Sequence, residues 1–267
     1  MQLFNDQLHY QTIGSRNNPC LVFIHGFCED LRMWEGLLEK GFTDYYCVLV
    51  DLPGFGKSPS SEQASIKGYA EQLVELLDHL KVSQFYAFGH SMGGYVSLAL
   101  GELRPGRLRG LALINSHGLE DSPESKAGRQ KSIDFINQFG SSLYVKQLIP
   151  ALFPDRFSRS NGFLVDELTL HACQYSNEGI TGGLSAMKSR PARTDVLTKT
   201  HTPVLVVVGE LDELIDFDKL VDQGSYSSIC QLEIIPGVGH MSPFESPERL
   251  RSIILEFLSF VKSTLSN

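Results

Sequence analysis

The sequence predicts an α/β fold in which a mostly parallel central sheet is flanked by helices. Short apolar runs alternate with amphipathic stretches near both ends of the chain, which is the pattern of parallel strands covered by helices. The apolar runs are continuous, as is typical of strands buried on both faces. Because the chain has 267 residues and 42% of them are hydrophobic, we expect one compact domain.

The elements follow one another in a regular order. The first part of the chain predicts strands at 20–24, 47–50, 85–88 and 108–114, with helical stretches at 34–38, 65–80 and 93–103. In the second helical stretch the apolar residues recur at helical spacing, and Ser65 stands at the expected N-cap. The pattern resumes late in the chain with strands at 204–208 and 232–235 and helices near 217–221 and at 247–261.

The stretch 117–190 differs from the rest of the chain. It contains Phe-rich amphipathic segments and no recognisable buried strand. We expect these segments to be helices broken at Pro150, Pro154, Gly162 and Gly179. The prediction is therefore a core made of 1–116 and 191–267, with a helical insertion at 117–190.

Ser91 is the candidate nucleophile. It is the serine of a G-x-S-x-G motif that follows a strand and precedes a helix, the context that a nucleophile elbow requires. Gly89 and Gly93 lack the side chains that would collide in so tight a turn. The amino end of the following helix presents free N–H groups and partial positive charge, which suits an oxyanion.

A serine hydroxyl needs a base within hydrogen-bond reach and a third group that orients the base. Among eight histidines, His240 stands out because a loop of turn-forming residues at 236–239 carries it beyond a strand. We expect His9, His79 and His201 at edge or surface positions, and His90 is too close to Ser91 in the chain to fold back on it.

Asp212 is the favoured acid because it lies just past the strand at 204–208, between the serine and the histidine in the chain. Glu210, Glu213 and Asp216 are rivals in the same acidic cluster. The end of the preceding strand holds Asn115 and Ser116, so it offers no carboxylate.

The oxyanion hole needs one N–H from the residue after the nucleophile and one from an early strand-to-helix loop. The first is the backbone N–H of Met92. The His25-Gly26-Phe27 segment follows the strand at 20–24, so the second donor is assigned to the backbone N–H of Phe27.

Five segments together resemble the α/β-hydrolase superfamily, in its serine-nucleophile, esterase- and lactonase-like branch. They are HGF at 25–27, DLPGFGKS at 51–58, GHSMGG at 89–94, GELDE at 209–213 and GHMSPFESPE at 239–248. The resemblance covers almost the whole chain. It implies the α/β-hydrolase fold with a helical cap inserted after the sixth strand, and it implies that the insertion at 117–190 is a lid whose side chains shape the substrate pocket.

Several subfamilies fit less well. Dehalogenases and epoxide hydrolases have an aspartate at the elbow, where this chain has Ser91, and C–C hydrolases often have a tryptophan where this chain has Phe244. The segment 187–190 resembles the one by which lactone hydrolases and generalist esterases rejoin the core. This favours an ester or lactone substrate that is small and largely apolar.

The lid sequence suggests an apolar, medium-sized pocket without a cluster for a charged substrate. We expect Lys126, Arg129 and Lys131 to be solvated. Eleven apolar lid residues are candidates for packing or for the pocket: Ile133, Phe135, Ile136, Phe139, Leu143, Tyr144, Leu148, Leu152, Phe153, Phe157 and Phe163.

Charge and composition exclude other classes. A net charge of −8 argues against nucleic-acid binding, and no segment has the apolar length of a membrane span. Position 51 holds Asp51 where a phosphate loop would need glycine, and no metal-binding spacing occurs, so neither cofactor nor metal is expected. Five widely spaced cysteines and no signal peptide indicate buried thiols in the cytoplasm.

The sequence thus predicts an enzyme that hydrolyses carboxylic esters or related acyl bonds through an acyl-enzyme intermediate, with a small molecule as its partner. Two alternatives use the same residues. One is a hydrolase of C–C bonds in diketone-like substrates, and the other is a small-molecule receptor that retains the triad and turns over slowly.

Overall fold

The computed structural model describes residues 2–199 and 201–265, and within them eight strands form one sheet. The strand order is β1-β2-β4-β3-β5-β6-β7-β8. The strands are β1 Gln2–Phe4, β2 Leu8–Ile13, β3 Cys20–Ile24, β4 Tyr46–Val50, β5 Phe85–His90, β6 Leu108–Ile114, β7 Val204–Gly209 and β8 Cys230–Ile235. In this order every neighbouring pair of strands from β4 to β8 is parallel, which confirms the mostly parallel sheet.

The two edges of the sheet depart from the sequence prediction. At one edge, β1 and β2 form an antiparallel hairpin that the sequence did not predict, because these strands are short and mix polar with apolar residues. At the other edge β8 has a single neighbour. Leu232 and Ile234 on β8 are 36% and 40% exposed, so the expectation of burial on both faces is wrong for this strand.

Successive residues of the central strands point to opposite faces of the sheet and enter two separate apolar clusters. On β7, Val206 and Val208 belong to one cluster, while Leu205 and Val207 belong to the other. The first cluster is covered by helices at 66–79 and 92–103, and the second by the C-terminal helix. This double burial explains why the strand segments are continuously apolar.

Helices cover both faces, as predicted. Their bounds are α1 Glu35–Leu38, α2 Ile66–His79, α3 Met92–Leu103, α4 Pro123–Phe139, α5 Ser141–Ala151, α6 Asp155–Ser160, α7 Gly162–Ala172, α8 Asn177–Ser189, α9 Thr194–Lys199, α10 Phe217–Asp222, α11 Ser242–Glu245 and α12 Pro247–Leu265. Ser65 caps α2, since its hydroxyl accepts a hydrogen bond from the N–H of Gly68. Within the described ranges, none of the helices is both long and apolar enough to cross a membrane.

The helices α4 to α8 lie between β6 and β7 in the chain, in the stretch that the sequence predicts as helical. Gly179 was expected to break a helix, but it lies inside the first turn of α8. There it packs against Gly54 in the loop after β4, and a Cβ on Gly179 would collide with the Gly54 carbonyl. Glycine is therefore needed at 179 for close approach of the helix to the core.

The loop after β4 is organised by the buried carboxylate of Asp51. Its oxygens accept hydrogen bonds from the backbone N–H groups of Leu31 at 2.9 Å and Lys57 at 2.8 Å. The third partner is Nδ1 of His9, at 2.6 Å. His9 lies in the edge hairpin but is only 2% exposed, so its expected surface position is wrong: strand β2 pairs with β4 and this side chain turns inward.

We predict that Asp51→Ala lowers the free energy of unfolding by about 3 kcal/mol or more, because it leaves the buried Leu31 N–H and the buried His9 ring without their acceptor, besides the N–H of Lys57. Urea denaturation measures the change. The matched control is Asp44→Ala, at an exposed position, where a change within about 0.5 kcal/mol is expected. Equal losses in the two variants would contradict the organising role of Asp51.

Candidate active site

Ser91 occupies a strained turn between β5 and α3. Its backbone φ is 49° and ψ is −115°, in a region that residues other than glycine rarely adopt. A Cβ on Gly89 would collide with the Gly93 carbonyl, and a Cβ on Gly94 would collide with the side chain of Ser116. The Ser91 N–H donates to the carbonyl of Ile114 at 3.0 Å. These contacts hold the serine hydroxyl at the carboxyl edge of the sheet.

The three side chains named from the sequence form one hydrogen-bonded chain. Nε2 of His240 lies 2.9 Å from Oγ of Ser91, and Nδ1 of His240 lies 2.9 Å from Oδ2 of Asp212. The strands that carry these residues end at the same edge of the parallel sheet, although up to 149 positions separate the residues in the chain. This is the geometry by which a base and an orienting acid serve a nucleophile.

Asp212 is buried and receives several hydrogen bonds. Its Oδ1 accepts from the N–H groups of Leu214 at 3.0 Å and Ile215 at 3.3 Å, and its Oδ2 accepts from Nδ2 of Asn115 at 2.9 Å. Burial raises the pKa of Asp212, but His240 and these hydrogen bonds outweigh it, so the pKa lies below its ordinary value. Asp212 therefore carries negative charge beside the His240 ring at neutral pH.

Asn115 is a site residue that the sequence did not assign. It stands at the end of β6, where the sequence prediction noted only that a carboxylate is lacking. Its Nδ2 also donates to the Gly239 carbonyl at 3.1 Å, and its Oδ1 accepts from Oγ of Ser242 at 2.6 Å. Asn115 thus links the acid to the loop that carries His240.

Two other side chains hold the His240 loop. The Glu245 carboxylate accepts from the N–H groups of Gly239 at 2.8 Å and Met241 at 2.9 Å. Nε2 of His90 donates to the His240 carbonyl at 2.7 Å. Glu245 belongs to the 239–248 segment that carries the family resemblance, but its role is visible only in the folded chain.

The candidate oxyanion donors lie on adjacent loops. Phe27 follows β3, and Met92 is the first residue of α3. A Cβ on Gly26 would clash with the ring of His90 and lie 3.5 Å from Cβ of Ser91, so the loop passes directly beside the elbow. Within that loop, Nδ1 of His25 donates to the Gly26 carbonyl at 2.7 Å.

The rival acids are occupied elsewhere. Oε2 of Glu210 accepts from the N–H of Gly237 at 2.8 Å, and Asp216 caps α10. Glu213 is exposed. Among the described acids of this cluster, the hydrogen bond to His240 is made by Asp212.

A cavity of about 170 Å³ opens onto Ser91 and His240. It is smaller than the roughly 300–1,000 Å³ of typical pockets for drug-sized ligands. Its apolar lining comes from the stretch 117–190 and from the rest of the chain: Phe27, Tyr144, Leu148, Leu152, Met187, Leu214, Ile215 and Met241. Two aromatic residues of 117–190 that were considered for this role lie elsewhere, since Phe139 is 52% and Phe163 is 84% exposed.

One wall of the cavity is charged, which corrects two expectations. Arg129, expected in solvent, lines the cavity together with Asp121, and its Nε lies 2.5 Å from Oδ2 of Asp121. Oδ1 of Asp121 is also 2.6 Å from Nη1 of Arg190. The expected absence of a charged cluster is therefore wrong. The sequence does not reveal this cluster, because the three residues are up to 69 positions apart in the chain.

Comparison with known proteins identifies the fold. The family model described as "alpha/beta hydrolase fold" matches residues 19–139. A thermophilic esterase from Thermogutta terrifontis superposes with a TM-score of 0.89 and 28% identity, over 95% of this chain and 93% of its own. Both comparisons show the α/β-hydrolase fold for this chain. The predicted α/β-hydrolase fold is confirmed.

Two curated relatives of this hydrolase-fold chain have similar length. A putative carbamate hydrolase from Pseudomonas syringae is 27% identical, over 90% of this chain and 94% of the relative. A 3-oxoadipate enol-lactonase from Acinetobacter baylyi is 25% identical, over 96% and 93%. The chain spans 66% of a longer relative at 27% identity, the acetyltransferase component of an acetoin cleaving system from Pseudomonas putida. The esterase, lactonase and carbamate hydrolase relatives support a hydrolase of the α/β fold.

We predict that the free energy of unfolding falls as the pH drops below about 6.5, partly through His90. Burial, followed by the neighbouring His240, lowers the pKa of His90 to about 3, against about 6.5 when unfolded. Between these pH values the unfolded chain binds a proton at His90 that the folded chain does not. The contribution of His90 to the free energy of unfolding is therefore complete above pH 6.5 and is lost toward pH 3. The loss is at most about 1.4 kcal/mol per pH unit. Urea denaturation at pH 7, 6 and 5 measures the slope.

Two histidine variants test whether His90 causes this dependence on pH. His90→Gln should flatten the dependence on pH, whereas His79→Gln, at an exposed position, should keep it. Identical slopes in His90→Gln and the unsubstituted protein would show that the ring of His90 does not contribute.

Proposed function

We propose that this protein is a serine hydrolase that cleaves a carboxylic ester or a related acyl bond of a small substrate. The observation that carries the proposal is the unbroken chain of hydrogen bonds from Ser91 through His240 to the buried, charged Asp212. The names of the esterase and enol-lactonase relatives support the choice of bond.

The proposed reaction has two stages. Nε2 of His240 takes the proton of the Ser91 hydroxyl while Oγ attacks the acyl carbon, and the negative charge of Asp212 stabilises the imidazolium that forms. His240 then gives the proton to the leaving oxygen as the bond to the acyl carbon breaks. Water, deprotonated by the same ring, attacks the acyl-enzyme and releases the acid and the free serine.

The proposed oxyanion hole consists of the backbone N–H groups of Phe27 and Met92. The position of Gly26 beside Ser91 supports the first donor, and the start of α3 directly after Ser91 supports the second. Preorganised donors of this kind contribute about 3 kcal/mol each to transition-state stabilisation. No metal or other cofactor takes part in the proposed mechanism.

The insertion 117–190 is proposed to act as a lid that shapes the acyl pocket. Tyr144, Leu148 and Leu152 of the insertion line the cavity that contains Ser91. The N–H of His240 also donates to the Leu152 carbonyl at 3.3 Å, so the end of α5 contacts the catalytic loop directly.

We predict that Ser91→Ala lowers kcat for a short-chain nitrophenyl ester by a factor on the order of 10⁶, since a triad acts as a unit. Circular dichroism should show an unchanged fold. The control is Ser97→Ala, which removes the same atom from a buried serine of α3 whose hydroxyl donates to the Gly93 carbonyl. Full turnover by folded Ser91→Ala would remove this residue from the mechanism. Absent turnover in the unsubstituted protein would favour a receptor.

We predict that Asp212→Asn lowers kcat about 10⁴-fold, because an amide stabilises the wrong tautomer of the His240 ring. The matched controls Glu210→Gln and Asp216→Asn change exposed residues that accept hydrogen bonds from backbone N–H groups and make no contact with the His240 ring, so their kcat should change less than about tenfold. The three kcat values, measured with one ester, give the ranking. A larger loss in Glu210→Gln than in Asp212→Asn would reassign the acid.

A further inference from the structure

The charged wall of the cavity holds more positive than negative charge. Asp121 is 6% exposed and lies between two guanidinium groups, with Arg129 at 2.5 Å and Arg190 at 2.6 Å. Both Asp121 oxygens are engaged by these two arginines. One carboxylate against two guanidinium groups leaves one positive charge in excess, in a place where unbalanced charge is costly.

Arg129 reaches the cavity, and Arg190 is buried on the other oxygen of Asp121. Arg129 lines the cavity directly, and 24% of its side chain remains exposed. The side chain of Arg190 is 2% exposed, and no described residue accepts a hydrogen bond from its Nε or Nη2. The Arg190 guanidinium stacks 3.7 Å above the ring of Tyr95, which is itself part of the cavity lining. Guanidinium groups with free donors are suited to binding a carboxylate.

His117 adds a neutral donor to the same wall. Its Nδ1 accepts from the N–H of Leu119 at 3.1 Å, which leaves the proton on Nε2, 3.5 Å from the hydroxyl of Tyr95. Burial, followed by Arg190, lowers the pKa of His117 to about 4, so its ring is uncharged at neutral pH. The excess positive charge of the wall therefore comes from the arginines.

We infer that Arg129 and His117, with the positive charge of Arg190 on the other side of Asp121, bind a carboxylate carried by the acyl group of the substrate. This rests on the proposed function, because Ser91 lines the same cavity and would attack the other end of that acyl group. The substrate class is thus a monoester, or a lactone with a free carboxylate, derived from a short dicarboxylic acid. A cationic acyl group is disfavoured by the same charges, and the volume of about 170 Å³ excludes a long chain.

The test compares hydrolysis of matched esters by the full chain. Monomethyl succinate, glutarate and adipate are paired with methyl butanoate, pentanoate and hexanoate, which replace the free carboxylate by a methyl group. We expect kcat/KM for at least one monoester to exceed that of its neutral partner about tenfold or more, as charged hydrogen bonds would supply. Arg129→Met should lower this ratio about tenfold or more, and Arg129→Lys should lower it less.

The control is Lys131→Met, which removes the same charge from an exposed position of α4 and should leave the ratio unchanged. Two results would overturn the carboxylate subsite while leaving the proposed ester hydrolysis intact. One is a higher kcat/KM for the neutral ester at every chain length. The other is an unchanged ratio of kcat/KM between monoester and neutral ester in Arg129→Met. If no ester is hydrolysed, the proposed function fails. Calorimetric titration of Ser91→Ala with monomethyl glutarate and methyl pentanoate then decides the subsite separately: tighter binding of the monoester supports it, and equal binding or none overturns it.

Discussion

The backbone turn at Ser91 is the constraint on which the site depends. A residue with a side chain is held at φ 49° directly after a buried strand, which costs on the order of 1–3 kcal/mol and persists only where the surroundings enforce it. The surroundings do so through packing: side chains are absent at Gly89, Gly93 and Gly94, where they would strike neighbouring backbone or Ser116. The start of α3, the adjacent strands and the loop at 25–27 can therefore close around the serine.

The polar groups behind the site form a second layer with little freedom. Asn115 joins Asp212 to the Gly239 carbonyl, and Glu245 binds the N–H groups on both sides of His240. These contacts connect loops that follow β6, β7 and β8, so they set the positions of the acid and the base relative to each other. Burial of this network makes each hydrogen bond stronger and each loss of a partner more costly.

The parts of the structure that the sequence predicted are those with a local signature. The central strands are continuously apolar, and the elbow needs a fixed spacing of glycines, so β3 to β7 and the turn at Ser91 are visible in the sequence itself. The β1–β2 hairpin lacks such a pattern because it lies at the sheet edge. The positions of Asn115 and Glu245 could not be predicted, since an amide or a carboxylate in a loop has no spacing that reveals its partner. The same holds for His9 with Asp51 and for Arg129 with Asp121, whose contacts exist only after the chain has folded.

The hydrogen bond from the His240 N–H to the Leu152 carbonyl joins the end of α5 to the residue proposed to move the proton. Leu148 and Leu152 at that end of the insertion also line the cavity. Under the proposed function, the shape of the pocket and the position of the base therefore depend on the same helix. A change that reshapes the pocket by shifting α5 also shifts the imidazole, so laboratory evolution toward a new acyl group would find the easier route through side chains such as Met187 and Leu214, which line the same cavity from outside α5.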